Sequence, residues 1–449
     1  MDNKRRTFIK NTALGAAGVM MGGATLSAKS YRNIIGSNER LNVAVIGLGR
    51  RLNGYTAPLS EKSNNVNLAY LCDVMPSQLD KAAKKFSELI DYSPKLENDI
   101  RKVLADKNVD AIFNATPDHW HTPGSIMAMQ AGKHVYVEKP CSHNMNENEL
   151  LVEASKKYNR VVQMGNQQRS SSHSIEIINK IHKGLIGKAY KAVAFYTNKR
   201  GRVPNQQPAP VPGGLDWDLF QGPAPRRAYT SETWNYNWHW YGWDYGTGEA
   251  GNNGTHEIDI ARWALQVDFP NHVDVDAVKG QFMDDGWEMY DTMEATFKFD
   301  NNKSIKWDGK SRNAYDTYGY DRGTIIYGSE GSVYVNRNEY IVYDRTGKVV
   351  KDYKSATKES GIALGGGGSA TTIHAENFFN TIRGKEKLNA PIDDASVSMA
   401  MVHYANVAYR VNSGFDIDTS GNETSHGPIS IRLAPDDASS WGEIKAEFE

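Results

Sequence analysis

"VAVIGLGRRLNG", residues 43–54, opens as an apolar run and turns into glycine at 47 and 49. A buried strand followed by a glycine-rich turn lets backbone N–H groups approach a pyrophosphate at the start of a helix, as dinucleotide-binding folds require. Gly47 and Gly49 suit that turn. A strict G-x-G-x-x-G would put its third glycine at Leu52, and the next one is Gly54, so the motif alone leaves a plain glycine turn as an alternative. A second apolar run, "LAYLCDV" (68–74), ends in Asp73, somewhat beyond the roughly 20-residue spacing of a ribose-binding carboxylate. Asp73 would accept hydrogen bonds from the adenosine ribose and repel a 2′-phosphate, which favours NAD over NADP. Arg50 or Arg51 would pair the pyrophosphate, or shield a 2′-phosphate and weaken that preference.

Working outward, "VDAIFNATP" (109–117), "HVYVEKP" (134–140) and "VVQMGN" (161–166) are further short apolar runs. Helical patterns such as "SQLDKAAKKFSELI" (77–90) and "TPGSIMAMQAGK" (122–133) lie between them. Strands alternating with helices predict an α/β, doubly wound parallel sheet of Rossmann type over residues 40–165. From about residue 188 the text changes to alternating strands: "KAYKAVAFYTN", "TMEATFKFDNNKSIKWDG", "GTIIYGSEGSVYV" and "EYIVYDRTGKVV", with "DNNK" and "DRTGK" as turns. This predicts an α+β C-terminal domain on a mainly antiparallel sheet, residues 166–420. Its helices "TTIHAENFFNTIRG" and "DASVSMAMVHYANVAYRVN" should pack against a sheet edge or the first domain, and a polar tail follows at 421–449.

The 449 residues suit about two or three domains. With 52 basic and 53 acidic residues there is no excess positive charge to grip a phosphate backbone, so nucleic acid is not an expected partner. Residues 1–30 carry Arg5 and Arg6 ahead of a weakly apolar, glycine-rich run too short for a stable membrane span. They resemble a twin-arginine signal, which implies the twin-arginine export machinery as a partner and a periplasmic or otherwise exported location. That route carries folded proteins, so a cofactor would be inserted beforehand. Cys72 and Cys141 are too few for a disulfide framework and read as buried thiols. His119 and His121, with Asp118 and His143 nearby, lack metal-ligand spacing, and no metal is expected.

"NATPDHWHTPGSIMAMQAGKHVYVEKP" (114–140) and "GNNGTHEIDIARWAL" (251–265), taken with the glycine turn, resemble the Gfo/Idh/MocA oxidoreductases over about residues 40–410. "GLDWDLFQGPAPRRAY" and the segment after it look like an exported branch of that family. The resemblance implies a nicotinamide enzyme acting on sugars or inositols. Lys139, just past a strand end, would hydrogen-bond a substrate hydroxyl and stabilise alkoxide charge. Glu138 would lie near the nicotinamide ribose, and Thr116, Pro117, His119 and His121 would line the nicotinamide end. Many relatives carry aspartate where this chain has Asn252, four residues before His256. An amide can orient a hydroxyl but cannot take its proton, so His256, an imidazole near its ordinary pKa, becomes the candidate base. Asp244 is a reserve carboxylate, and Tyr241 or Tyr245 a reserve relay.

The ring-rich stretch "WNYNWHWYGWDY" (234–245) precedes this run. Rings at 234, 236, 238 and 240 suit an extended segment with one row on each face. They would form a carbohydrate platform or plug a domain interface. Trp240, Tyr241, Trp243, Tyr245 and Asn253 are the candidate substrate contacts. Two enzymatic readings follow. One is an NAD(H)-dependent oxidoreductase with a tightly held cofactor, acting on a hydroxyl carbon of a sugar or glycoside. The other is an NAD-dependent glycoside hydrolase working by oxidation, elimination, addition and reduction, since glycoside hydrolase family 109 resembles this fold and export pattern. A non-catalytic sugar or cofactor sensor is a third reading. Self-association through the antiparallel sheet is the expected assembly.

Overall fold

The computed structural model describes residues 39–354 and 369–417; the signal-like residues 1–30, the glycine run 365–368 and the tail 421–449 lie outside them. The first sheet is built from β1 (Leu41–Ile46), β2 (Val66–Cys72), β3 (Lys95–Glu97), β4 (Ala111–Asn114), β5 (His134–Val137) and β6 (Val162–Met164), with α1 (Leu52–Ser60), α2 (Pro76–Ser87), α3 (Ile100–Ala105), α4 (Asp118–Gln130) and α5 (Met145–Lys157) between strands. All six strands are parallel, in the order β3-β2-β1-β4-β5-β6. The reversal of winding beside β1 makes the crevice at the strands' carboxyl ends where doubly wound folds bind ligands.

Alternation along β1 supplies two separate cores, because successive strand residues face opposite sides. Ala44 and Ile46 join Ile112 and Val135 on one face, whereas Val43 and Val45 meet Tyr55 and Phe113 on the other. The second face is closed by α9 (Ser369–Ile382), whose Phe378 stands edge-on to Phe113 at 5.9 Å while Tyr136 stacks on Phe113 at 4.6 Å.

The second sheet contains β7 (Ala189–Thr197), β8 (His272–Val278), β9 (Thr292–Lys298), β10 (Ser304–Lys310), β11 (Arg322–Gly328), β12 (Gly331–Val335), β13 (Glu339–Asp344), β14 (Val349–Lys354) and β15 (Phe415–Asp416); α6 (Ser172–His182) precedes β7 and α7 (Trp217–Gln221) follows it. Its order is β14-β13-β12-β11-β7-β10-β9-β8-β15, antiparallel throughout except for β7 beside β10. The turns expected at "DNNK" and "DRTGK" join β9 to β10 and β13 to β14.

On its buried face lies α8 (Thr255–Leu265), which packs with α10 (Ile392–Val411) and is buried almost all round. Such a helix can carry charge only where it is paired. Glu257 accepts from Arg322 Nε at 2.9 Å, and Asp259 meets Arg169, which follows β6, at 2.7 Å. Both acids are buried ion-pair partners rather than solvated neighbours of His256. The Arg169–Asp259 pair ties α8 to the carboxyl edge of the first sheet, which fixes the second domain's contribution to the crevice.

Two local expectations are corrected. His119 and His121 sit in the first turn of α4, because that helix begins at Asp118 instead of near Thr122. The 234–245 stretch is not extended: it runs through turns and a short 3₁₀ segment at Asn237–His239, so its rings do not alternate between two faces.

Candidate active site

At the carboxyl end of β1, Gly47 holds φ of +85°, and a Cβ there would lie 2.5 Å from the Ala115 carbonyl oxygen. Only glycine lets β1 turn so close to β4. At Gly49, by contrast, no atom lies within 4 Å of where a Cβ would be, so backbone is open to the cavity. The N-terminus of α1 has no side-chain cap. Asp73, at the end of β2, accepts from Leu48 N at 2.7 Å through one oxygen and from Met75 N at 2.9 Å through the other. Burial raises its pKa to about 6 against those two bonds.

An open glycine turn, an uncapped helix start and a carboxylate facing the cavity fit a dinucleotide with a free 2′-hydroxyl. The two arginines divide differently from expectation. Arg51 lines the cavity with its Nε paired to Glu138 Oε1 at 2.6 Å, an oxygen that also accepts from Tyr55 at 2.7 Å and Gln167 at 3.1 Å. Arg50 lies over the Tyr236 ring at 4.2 Å. Glu138 therefore works as the anchor of Arg51, buried beside the cavity.

The glycine turn opens into a cavity of about 620 Å³ that passes from Asp73 to the second sheet. Lys139 lies midway. Its Nζ donates to the Asn252 carbonyl oxygen at 2.7 Å and to Asn252 Oδ1 at 3.3 Å, which leaves one of three donors for a ligand. Burial lowers its pKa to about 8, opposed by Glu138 and Asp118. The carbonyl is available because residues 250–254 form a π turn ahead of α8; such turns recur at functional sites. Gly251 and Gly254 exist for packing, since a Cβ would meet Thr247 Oγ1 at 1.9 Å in one case and Trp307 at 3.3 Å in the other.

The π turn also explains how Asn252 and Asn253 are aimed. Both amides donate to Glu249 Oε1, while Glu249 Oε2 accepts from Arg200 at 3.1 Å and Ser311 at 2.7 Å. Glu249 was missed in the sequence, although its spacing of three and four residues from the two asparagines is a helical-face signal. His256 lies one turn further on, lining the cavity, with no ring hydrogen bond among the described residues. Its pKa is held well below the ordinary imidazole value by burial, then by Arg337, Lys139, Arg322 and Arg51. This corrects the expectation of a near-ordinary pKa: burial and the nearby cations both favour the neutral ring.

Thr116 and Pro117 line the cavity, with Thr116 Oγ1 bound to Asn114 Oδ1 at 2.7 Å. His121 does too; its Nδ1 donates to the Pro140 carbonyl at 2.5 Å and its Nε2 is buried with no hydrogen-bond partner among the described residues. His119 does not. Its Nε2 is bound to the Phe220 carbonyl and its ring packs on Tyr245 at 4.9 Å, outside the cavity lining. Asp118, in contrast, lines it, accepting twice from Thr247; burial raises its pKa to about 7.

The ring assignments need the largest correction. Trp240 stacks on Trp287 at 3.9 Å, Tyr241 donates to the Pro204 carbonyl, Trp243 packs on Tyr409, and Tyr245 is enclosed by Trp217 and Phe220. None of these four lines the cavity; Trp234, Tyr236 and Trp238 do. Asp244 is paired with Arg227 at 3.0 Å, and neither it, Tyr241 nor Tyr245 reaches the cavity as a reserve group. Among the described residues no His, Cys, Asp or Glu cluster of metal-binding form occurs, both cysteines are buried and free, and no helix is long and apolar enough to cross a membrane.

Two family models match the chain: the oxidoreductase family's NAD-binding Rossmann fold at residues 41–166, and its C-terminal alpha/beta domain at residues 191–434. The chain belongs to the Gfo/Idh/MocA oxidoreductase family. Its first domain is thus an NAD-binding Rossmann fold. Among curated relatives, a glycosyl hydrolase family 109 protein of Saccharopolyspora erythraea is 29% identical over 209 residues, 43% of this chain and 45% of that protein. The chain spans about half the length of the curated relatives it matches. Among solved structures, levoglucosan dehydrogenase in complex with NADH and levoglucosan superposes with a TM-score of 0.64 at 20% identity, covering 84% of this chain and 100% of that one. The WlbA dehydrogenase of Bordetella pertussis with NADH and UDP-GlcNAcA gives 0.62 at 17%, covering 84% and 98%. These likenesses show the fold.

Proposed function

We propose that the protein is an NAD(H)-dependent oxidoreductase of a hydroxyl carbon in a sugar or glycoside. The observation that carries this is the placement of Lys139 and His256 in one cavity, with Lys139 fastened to Asn252 and one ammonium donor left over. Bound NAD supplies the hydride acceptor or donor. Lys139 holds the substrate oxygen and stabilises negative charge as it develops. His256, neutral through the physiological range, accepts the hydroxyl proton. Asn253 and Trp238 present an amide and a ring face to the sugar, and Glu249 keeps both asparagine amides in place. The Arg50–Tyr236 contact lays the 234–239 loop beside the glycine turn, which supports a cofactor retained through turnover.

The test is to release and identify the nucleotide from purified protein, then follow absorbance at the reduced-nicotinamide band while sugars and glycosides are added. Recovery of NAD and its reduction by one sugar class is the expected result; no bound nucleotide and no affinity for one would sink the proposal. Similarity to glycosyl hydrolase family 109 favours a second reading, hydrolysis through transient oxidation. Glycoside cleavage without accumulating NADH would select it. Export through the Arg5–Arg6 segment and assembly through the second sheet complete the proposal, checked by fractionation of cells and by the mass of the purified particle.

A further inference from the structure

Three cavity-lining imidazoles, those of His121, His239 and His256, differ in what their nitrogens can do. His239 sits at the end of the short 3₁₀ segment, its ring stacked on Trp238 at 3.6 Å. Its Nδ1 lies 2.6 Å from the Tyr236 carbonyl oxygen. A carbonyl can only accept, so Nδ1 carries the proton and Nε2 carries a lone pair. His121 has the same tautomer from its bond to the Pro140 carbonyl, but its Nε2 is sealed in protein. The Nε2 of His239 makes no hydrogen bond among the described residues and is not closed off in this way.

The arrangement is held from several directions. Tyr236, which provides the carbonyl, has φ +54° and ψ −41°, a conformation that side-chain-bearing residues rarely adopt and that persists only where surroundings enforce it. Here the Tyr236 ring lies under Arg50 and its hydroxyl is 3.5 Å from Arg200. Gly246 allows the His239 backbone to approach, because a Cβ there would stand 2.8 Å from His239 Cα. Burial, then Lys139, Arg200 and His121, hold the imidazole well below its ordinary pKa against the bond to the Tyr236 carbonyl, which keeps it neutral.

We infer that His239 is a second proton-transferring residue, acting through Nε2 on the carbon next to the one that is oxidised. The inference rests on the proposed sugar oxidation by bound NAD, which creates a ketone and so acidifies the neighbouring C–H. Lys139, His256 and His239 line one cavity, so a carbonyl oxygen held by Lys139 shares that cavity with two imidazoles. Nε2 takes the carbon-bound proton, the C–H electron pair becomes a carbon–carbon double bond, and the carbonyl π pair moves onto the oxygen facing Lys139. Returning the proton reverses each movement, so the step has no net redox change.

The experiment incubates the NAD-loaded protein with monosaccharides and p-nitrophenyl glycosides in deuterium oxide, follows nicotinamide reduction in a single turnover, and locates deuterium in the recovered sugar. In wild type, deuterium should enter at the carbon adjacent to the oxidised one. His239→Asn retains a donor for the Tyr236 carbonyl, and His239→Gln retains an amide near Nε2; neither has a base. Each should slow exchange at least ~100-fold more than it slows hydride transfer, the span of general-base assistance. Exchange in both variants at the wild-type rate, or equal loss of exchange and hydride transfer with nucleotide still bound, would overturn the inference. A wild-type protein that never reduces its nucleotide would instead overturn the oxidoreductase proposal, and this inference with it.

Discussion

The two ends of the cavity are built by different means. At the nucleotide end, the positions come from period-2 strands that stop at a common edge: Gly47, Asp73, Thr116 and Glu138 each follow a strand of one parallel sheet. At the substrate end, Lys139 binds a π turn, a strained tyrosine and the arginines Arg200 and Arg322 line the same cavity, and buried carboxylates decide which way those arginines point. One end depends on backbone geometry that recurs in every doubly wound fold. The other depends on tertiary pairing that no local pattern encodes, so substitutions should divide sharply between the two.

The largest effects should fall at the substrate end and on rate. His256→Ala is expected to slow nucleotide reduction by roughly 10²–10⁴-fold and Lys139→Met by roughly 10²–10³-fold. Single-turnover absorbance would show this, with the nucleotide content of the purified protein unchanged. Next come the rings. Trp240→Ala empties the stack on Trp287 and should cost about 3–5 kcal/mol in denaturant unfolding. Trp238→Ala touches the cavity and should raise KM with far less effect on stability. If Trp240→Ala raised KM and left stability alone, the division of the aromatic stretch into packed and cavity-facing rings would be wrong. At the nucleotide end, Asp73→Ala removes an acceptor for ribose and should weaken NAD binding by about 1.5–3 kcal/mol while narrowing the preference over NADP, measured by titrating nucleotide-free protein.

The order of those effects follows what could be read from the chain. Strand runs, glycine punctuation and the "DNNK" and "DRTGK" turns are local signals, and they located both sheets. Asn252, Asn253, His256 and Lys139 line one cavity, a grouping that the family resemblance implied and no local pattern encodes. The rings at 240, 241, 243 and 245 failed because a tryptophan in a core and one under a sugar look alike until partners such as Trp287 and Tyr409, far along the chain, are placed. His119 failed for a related reason: the helix began one turn earlier than its apolar pattern suggested, which rotated it toward Phe220. Arg50 and Arg51 stood as alternatives for the pyrophosphate, and the buried partner of Arg51, Glu138, is 87 residues away, beyond any local pattern.

The smallest expected effect is one of pH, and it probes the contact on which the site turns. Lys139 is pushed down from 10.5 to about 8 mainly by burial, so its ammonium form is lost as pH rises through 8, and the rate should fall there. His256, already neutral, should add no rise near its ordinary value on the acid side. Asn252→Asp puts a carboxylate where an amide oxygen now stands 3.3 Å from Lys139 Nζ. An opposite charge at that distance favours the ammonium, so the alkaline limb should move to higher pH. The same change takes a donor from Glu249 and sets two carboxylates near each other, opposed by Arg200. Rate at neutral pH should therefore change little or fall modestly while the limb moves upward. A limb that stays at about 8 in Asn252→Asp would show that the group titrating there is not Lys139.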